Sequence, residues 1–212
     1  MLAGMLSVLL VAGVIGLGVL LATDDPSAAP ESTATTAAPP EAATSTPTTA
    51  GDLPPVKLKT LPAAAKAAGC RLQNPPDAGA EHAQRKFTPA DYDSNPPTSG
   101  THFPTWYEDG VYASGTTPEL GRLVHALEHG RIEIQYRPGT PAATVARLEQ
   151  LVDELDRGYH ILLFENATKM PYQVAATAWG HLLGCPKMNE RVFDALRAFR
   201  KNYVDKGPEI VP

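Results

Sequence analysis

The side chains best able to do chemistry in this chain lie in His125-Ala126-Leu127-Glu128-His129, which is followed by Gly130. Two imidazoles four residues apart, with a carboxylate beside the second, form a compact set of metal ligands or acid/base groups when the segment is helical. The pattern predicts a helix: Leu120, Leu123, Val124 and Leu127 recur at i, i+3, i+4 and i+7, Pro118 suits a first turn, and Gly130 suits the residue past the end. At about 100° per residue both histidines fall roughly opposite that apolar stripe. They should therefore face water or a cleft rather than the core. The same wheel puts Glu128 some 60–100° away from them.

A metal ion needs three or four ligands converging at about 2.0–2.3 Å. His102 is offered by the loop Tyr92-Asp93-Ser94-Asn95-Pro96-Pro97-Thr98-Ser99-Gly100-Thr101-His102, where two prolines fix φ and Gly100 permits a turn. His82, beside Glu81, is the fourth imidazole. The expected ligand set is His82, His102, His125 and His129, with Glu128 and Met170 as possible additions. Met170 precedes a proline outside any helical stripe and could equally pack in the core. His160, in a strand pattern with Leu162 and Phe164, and His181 read as hydrogen-bonded structural residues. Imidazoles suit zinc, copper, iron or nickel, and a thioether would tilt the choice toward cuprous copper. Copper binding or delivery is the first expectation, with zinc as the alternative ion.

Two other functions compete. His125-Ala126-Leu127-Glu128-His129 matches H-x-x-E-H, in which two histidines hold zinc and the glutamate is general base. Gly130 ends the helix at the motif, however, and no second helix brings a third, carboxylate ligand. A tethered interaction module of the envelope without metal, using the stiff loop with Trp106 and Tyr107, is the other reading. No G-x-S-x-G and no phosphate-cradling glycine loop occurs, so an enzyme is the less favoured class.

The elements that must position these residues follow from pattern. Pro62 opens and Gly69 closes a short Ala-rich helix. Arg131 to Tyr136 alternates as a half-buried strand and ends at Pro138-Gly139. Thr140 caps and Pro141 starts a helix with Val145, Leu148, Leu151, Val152 and Leu155 on one face, stopped at Gly158. Tyr159 to Phe164 reads as a second strand and Tyr172 to Trp179 as a third. Asn189 caps a last helix that turns Val192, Phe193, Leu196, Phe199 and Tyr203 inward. The expected class is α+β, a small mixed sheet with two to four packed helices.

With Asn95-Pro96-Pro97-Thr98-Ser99-Gly100-Thr101-His102, then Leu123-Val124-His125-Ala126-Leu127-Glu128-His129-Gly130, then Val174-Ala175-Ala176-Thr177-Ala178-Trp179-Gly180, the chain resembles a bacterial family of uncharacterised anchored proteins, the domain of unknown function 3105. The likeness spans about residues 70 to 210. It implies that these motifs belong to one domain, and it brings no reaction, cofactor or catalytic residue.

Composition divides the chain in three. Residues 2–22 carry no charge and match the roughly twenty apolar residues that cross a bilayer. Segment 1–22 is thus expected to be a transmembrane helix or signal anchor. Residues 23–53, rich in Ala, Thr, Pro and Ser, are expected to form a disordered stalk, and 54–212 an extracytoplasmic globular domain. The expected placement is single-pass in the cell membrane, with that domain outside and an envelope protein as partner. Asp24, Asp25, Glu31, Glu41 and Asp52 precede the first basic residue, Lys57; 23 acids less those five leaves 18, against 18 Lys plus Arg. A formally neutral globular part argues against nucleic acid. Cys70 and Cys185 are the two cysteines, and outside the cytoplasm such a pair reads as a disulfide, with buried free thiols or a thiolate ligand as alternatives.

Overall fold

The computed structural model describes residues 51–115 and 117–209. The candidate membrane segment and nearly all of the expected stalk lie outside the described residues. Among the described residues no helix is long and apolar enough to cross a membrane.

From Asp52 onward the chain is bonded to the domain. Arg147 donates to the Asp52 carbonyl, Arg197 to the Pro54 carbonyl, and the Lys57 and Leu58 amides donate to the buried Asp194 carboxylate. Helix α1 (Leu61–Ala68) follows, with Pro62 in its first turn and Gly69 taking the left-handed conformation at φ 71° that ends it. Strands β1 (Arg71–Gln73), β2 (Gly110–Val111), β3 (Ile132–Tyr136), β4 (Ile161–Glu165), β5 (Val174–Ala178) and β6 (His181–Cys185) form one sheet in the order β1-β6-β5-β3-β4-β2. The β2, β3 and β4 pairings are parallel; β3–β5, β5–β6 and β6–β1 are antiparallel. A crossover helix, α3 (Ala142–Glu154), joins parallel β3 and β4, and α4 (Glu190–Tyr203) closes the chain. Cys70 and Cys185 form a disulfide that ties the start of β1 to the end of β6 across 115 residues of sequence.

One sheet face carries Ile132, Ile134, Tyr136, Ile161, Leu163, Val174, Ala176 and Leu183 against α1, α3 and α4. The opposite face is covered by α2 (Leu120–Glu128) and by loops bringing Phe87, Tyr92, Phe103, Trp106, Tyr107 and Tyr112 over Leu162 and Phe164. Helices and loops on both faces explain why β3 is not the half-buried strand its alternation predicts: all five of its residues are buried. Glu133 and Gln135 alternate onto the α2 side and there form a polar network in which one Glu133 oxygen, Oε1, is buried without a hydrogen-bond partner. Gln135 Nε2 donates to Glu133 Oε2 at 2.8 Å and Thr177 Oγ1 donates to the same oxygen at 3.0 Å. Asn166 in turn donates to Gln135 Oε1 at 2.6 Å.

Local chemistry corrects several other expectations. Thr140 does not cap α3; its hydroxyl donates to the Arg137 carbonyl, and Pro141 itself stands at the cap position. The second strand starts later than the pattern suggests, because His160 sits before it at φ 51°. The structure also adds β1, β2 and β6 to the three strands read from pattern. Two of these are only two or three residues long, and β6 (His-Leu-Leu-Gly-Cys) carries no period-two alternation.

Candidate metal centre

Helix α2 is built to present one face to the sheet and another to the loops. Its N-cap is Glu119, whose carboxylate accepts from the Gly121 amide, so Pro118 lies one residue outside the cap. Gly121 is the point of closest approach: a Cβ there would collide with the Phe87 ring, and the Phe103 amide donates to the Gly121 carbonyl at 3.2 Å. Past His129, Gly130 takes φ 78°, where its lack of a side chain lets the Asp205 backbone pass.

The loop histidines are fixed by backbone pairing. His82 and His102 form a parallel bridge in which the His102 amide donates to the Glu81 carbonyl at 2.9 Å and the Ala83 amide to the His102 carbonyl at 2.7 Å. The stiff loop is pinned further by the Ser99 hydroxyl, which accepts from the Ala78 amide, and by the Thr98 carbonyl, which accepts from Gly180.

These elements gather His82, His102, His125 and Glu128 so that one ligand atom from each lies within 4.8 Å of the others. The three rings form a near-equilateral triangle, with centroid separations of 4.8, 4.8 and 4.9 Å. Glu128 Oε2 stands 3.0 Å from His102 Nε2, 3.5 Å from His82 Nε2 and 3.8 Å from His125 Nε2. Tetrahedral bonds of 2.0–2.1 Å require ligand-to-ligand edges of about 3.3–3.4 Å, and those three distances bracket that value. His102, His125 and Glu128 are buried, while 44 % of the His82 side chain is exposed.

Tautomers decide what this cluster is for. His102 Nδ1 is 2.8 Å from the Gly100 carbonyl and His125 Nδ1 is 2.6 Å from the Phe103 carbonyl. A carbonyl only accepts, so each Nδ1 carries the hydrogen, and each ring turns its Nε2 toward the Glu128 carboxylate. A proton on His102 would satisfy one such contact as an ion pair. Burial pushes His125 below the usual imidazole range, with His129 and His102 lowering it further against the Phe103 carbonyl, and its Nε2 also lies 3.0 Å from His129 Nε2. A cation satisfies all of these acceptors at once. Imidazoles locked by carbonyls through their far nitrogen are the usual support of metal ligands.

The inner group keeps His82, His102 and His125 of the four expected histidines and adds Glu128, one of the two possible additions. His129 is not one of the four: its Nε2 lies 3.0 Å from His125 Nε2 and 3.3 Å from Glu209 Oε2, in a second group of His125, Glu128, His129 and Glu209. Glu128 joins the cluster although the wheel turns it away, because the wheel tracks Cα–Cβ directions and a glutamate has three further torsions to swing its oxygens back. Both α2 histidines are buried, facing a cleft roofed by loop residues rather than water. Met170 is buried and packed with Tyr172, Ala175 and Leu182. His160 and His181 are structural: His160 Nδ1 pairs with Asp205 at 2.7 Å, and His181 bonds Asn74 and stacks on Tyr203. Glu209 escapes sequence reading because a lone acid in the C-terminal tail has no periodic signature.

Comparison with known proteins gives no match among curated proteins and none among solved structures. A family model described as a protein of unknown function (DUF3105) matches residues 82–211, which spans β2 to α4 and every residue of the cluster. The chain belongs to that family.

Proposed function

We propose that this domain holds one divalent transition-metal ion through the Nε2 atoms of His82, His102 and His125 and the carboxylate of Glu128, and hands it on outside the cytoplasm. The observation that carries the reading is the convergence of buried lone pairs whose rings are locked by the Gly100 and Phe103 carbonyls. Three imidazoles and a carboxylate, without sulfur, suit zinc or cupric copper; cuprous copper loses its attraction once Met170 is packed away and both cysteines are bonded to each other. Four protein ligands make a holding site rather than a hydrolytic one, because Glu128 is among the ligand atoms and is not free to act as base. The disulfide supports an oxidising compartment. With the apolar stretch 2–22 it supports a membrane-tethered domain that exchanges its ion with an envelope protein.

Metal analysis of the full-length protein in detergent tests this. After loading with zinc or copper(II) and removal of excess metal, about one equivalent should remain, and none in His125→Ala. Retention of metal in that variant, or its absence from the parent, ends the proposal.

A further inference from the structure

The geometry points to a second ion position, formed by His125, Glu128, His129 and Glu209 and sharing an edge with the first, through which the ion is exchanged with the exterior. The inference rests on the metal-holding reading above and adds the route by which the ion enters and leaves.

The ligand atoms of this group also lie within 4.8 Å of one another. Its successive contacts, 3.8 Å from Glu128 Oε2 to His125 Nε2, 3.0 Å on to His129 Nε2 and 3.3 Å on to Glu209 Oε2, again bracket the tetrahedral edge of about 3.3–3.4 Å. His129 is no surface residue. Its side chain is 2 % exposed, its ring is held edge-on to Trp106 at 4.5 Å between centroids, and its Nδ1 is buried with no hydrogen-bond partner among the described residues.

Glu209 is placed deliberately too. The tail crosses the end of α2: Asp205 donates to the Gly130 carbonyl at 2.9 Å and the Glu209 amide to the Glu128 carbonyl at 3.1 Å. Gly207 passes so close that a Cβ would overlap the Glu128 carbonyl oxygen. The Glu209 side chain, anchored in this way at its backbone, is 54 % exposed, so the second position opens to solvent.

Two tetrahedra sharing the His125–Glu128 edge let an ion move without being stripped. It releases His82 and His102 while gaining His129 and Glu209, and keeps two ligands throughout. Charge favours capture at the outer position, where two carboxylates neutralise a divalent ion; the inner position has one carboxylate and three neutral imidazoles, and holds the ion by nitrogen ligation.

The test uses the full-length protein and zinc. The double variant His82→Ala/His102→Asn, in which the asparagine amide replaces the Nδ1 donor to Gly100, should keep about one equivalent with affinity weakened roughly 10–100-fold. Adding His129→Ala should abolish binding. The single variants His129→Ala and Glu209→Gln should keep the equivalent but surrender it to excess chelator about tenfold more slowly than the parent. A folded double variant that holds no zinc overturns the second position, as do single variants whose release rates match the parent. Failure of the parent to bind zinc or copper(II) is a different result, and ends the holding reading itself.

Discussion

Glu133 gives the sharpest test of how this domain's interior is wired. Its carboxyl is fully buried in the sheet face under α2, and burial pushes it from 4.5 up to about 8, against the Thr177 hydroxyl, which holds it down. The folded protein therefore carries a proton here that the unfolded chain has lost across that whole interval. Stability from this group is complete below about pH 4.5 and falls as pH rises toward 8. At about 1.4 kcal/mol per pH unit the full fall is about 5 kcal/mol. Three other groups oppose it at the acidic end. His125, His129 and His181 are held by burial below the usual 6.5, so the unfolded chain binds their protons first and stability rises with pH through that value. Above pH 6.5 the histidine effect fades over about one pH unit, and the Glu133 contribution, isolated as the difference between the parent and Glu133→Gln, falls by about 1.5 kcal/mol between pH 6.5 and 8. Urea unfolding of the full-length parent and of Glu133→Gln, both in chelator, at those two pH values should show that difference shrink by this amount. A parent-minus-variant difference that is the same at both pH values refutes the assignment of a protonated carboxylic acid to this position.

The ion should also register as stability. Zinc at about a hundredfold over its dissociation constant should contribute about 2.7 kcal/mol and raise the melting temperature roughly 5–11 °C in the parent but not in His125→Ala; equal shifts in both would exclude His125 as a ligand. Replacing Cys70 and Cys185 together by alanine should lower stability by about 3–5 kcal/mol, read by denaturant midpoint, since the bond closes a long loop of the unfolded chain. Gly121→Ala should drive Phe87 and the Phe103 segment off α2, with a loss of about 1–3 kcal/mol. Because the Phe103 carbonyl orients His125, zinc affinity measured by chelator competition should weaken in the same variant; undiminished affinity would show that the carbonyl does not set the ring.

Much of the scaffold could be read from pattern because its helices are stabilised by local signals as well as by packing. Pro62 and Gly69 bound α1, Asn189 caps α4 through the Arg191 amide, and Phe193, Leu196 and Phe199 turn into the core as their spacing demands. The strands carry weaker signals. Sheet strands buried on both faces, such as β3, admit a Glu and a Gln inside if those groups bond one another, and alternation then misreports which face meets water. At the site, three of the four inner ligands were visible as histidines. What sequence could not supply was partnership: His125 and His129 lie one turn apart on one helix, yet loop 74–103 draws the first to His82 and His102, and the tail draws the second to Glu209. Those choices depend on segments far away in the chain and on side-chain torsions that a helical wheel omits.

The bridge between His82 and His102 has a further consequence. The segment from Asn74 to Lys86 crosses the domain as irregular backbone, held by main-chain hydrogen bonds around Gly79, Glu81 and Ala83 and by side-chain bonds of Asn74, Asp77 and the Ala78 amide to His181, Trp179 and Ser99. An ion bound by His82 would staple this strap to α2; its departure would leave the strap free to lift and present extended backbone to a protease. The survival of the intact domain would then follow metal supply, making proteolytic lifetime a gauge of occupancy without any dedicated sensor.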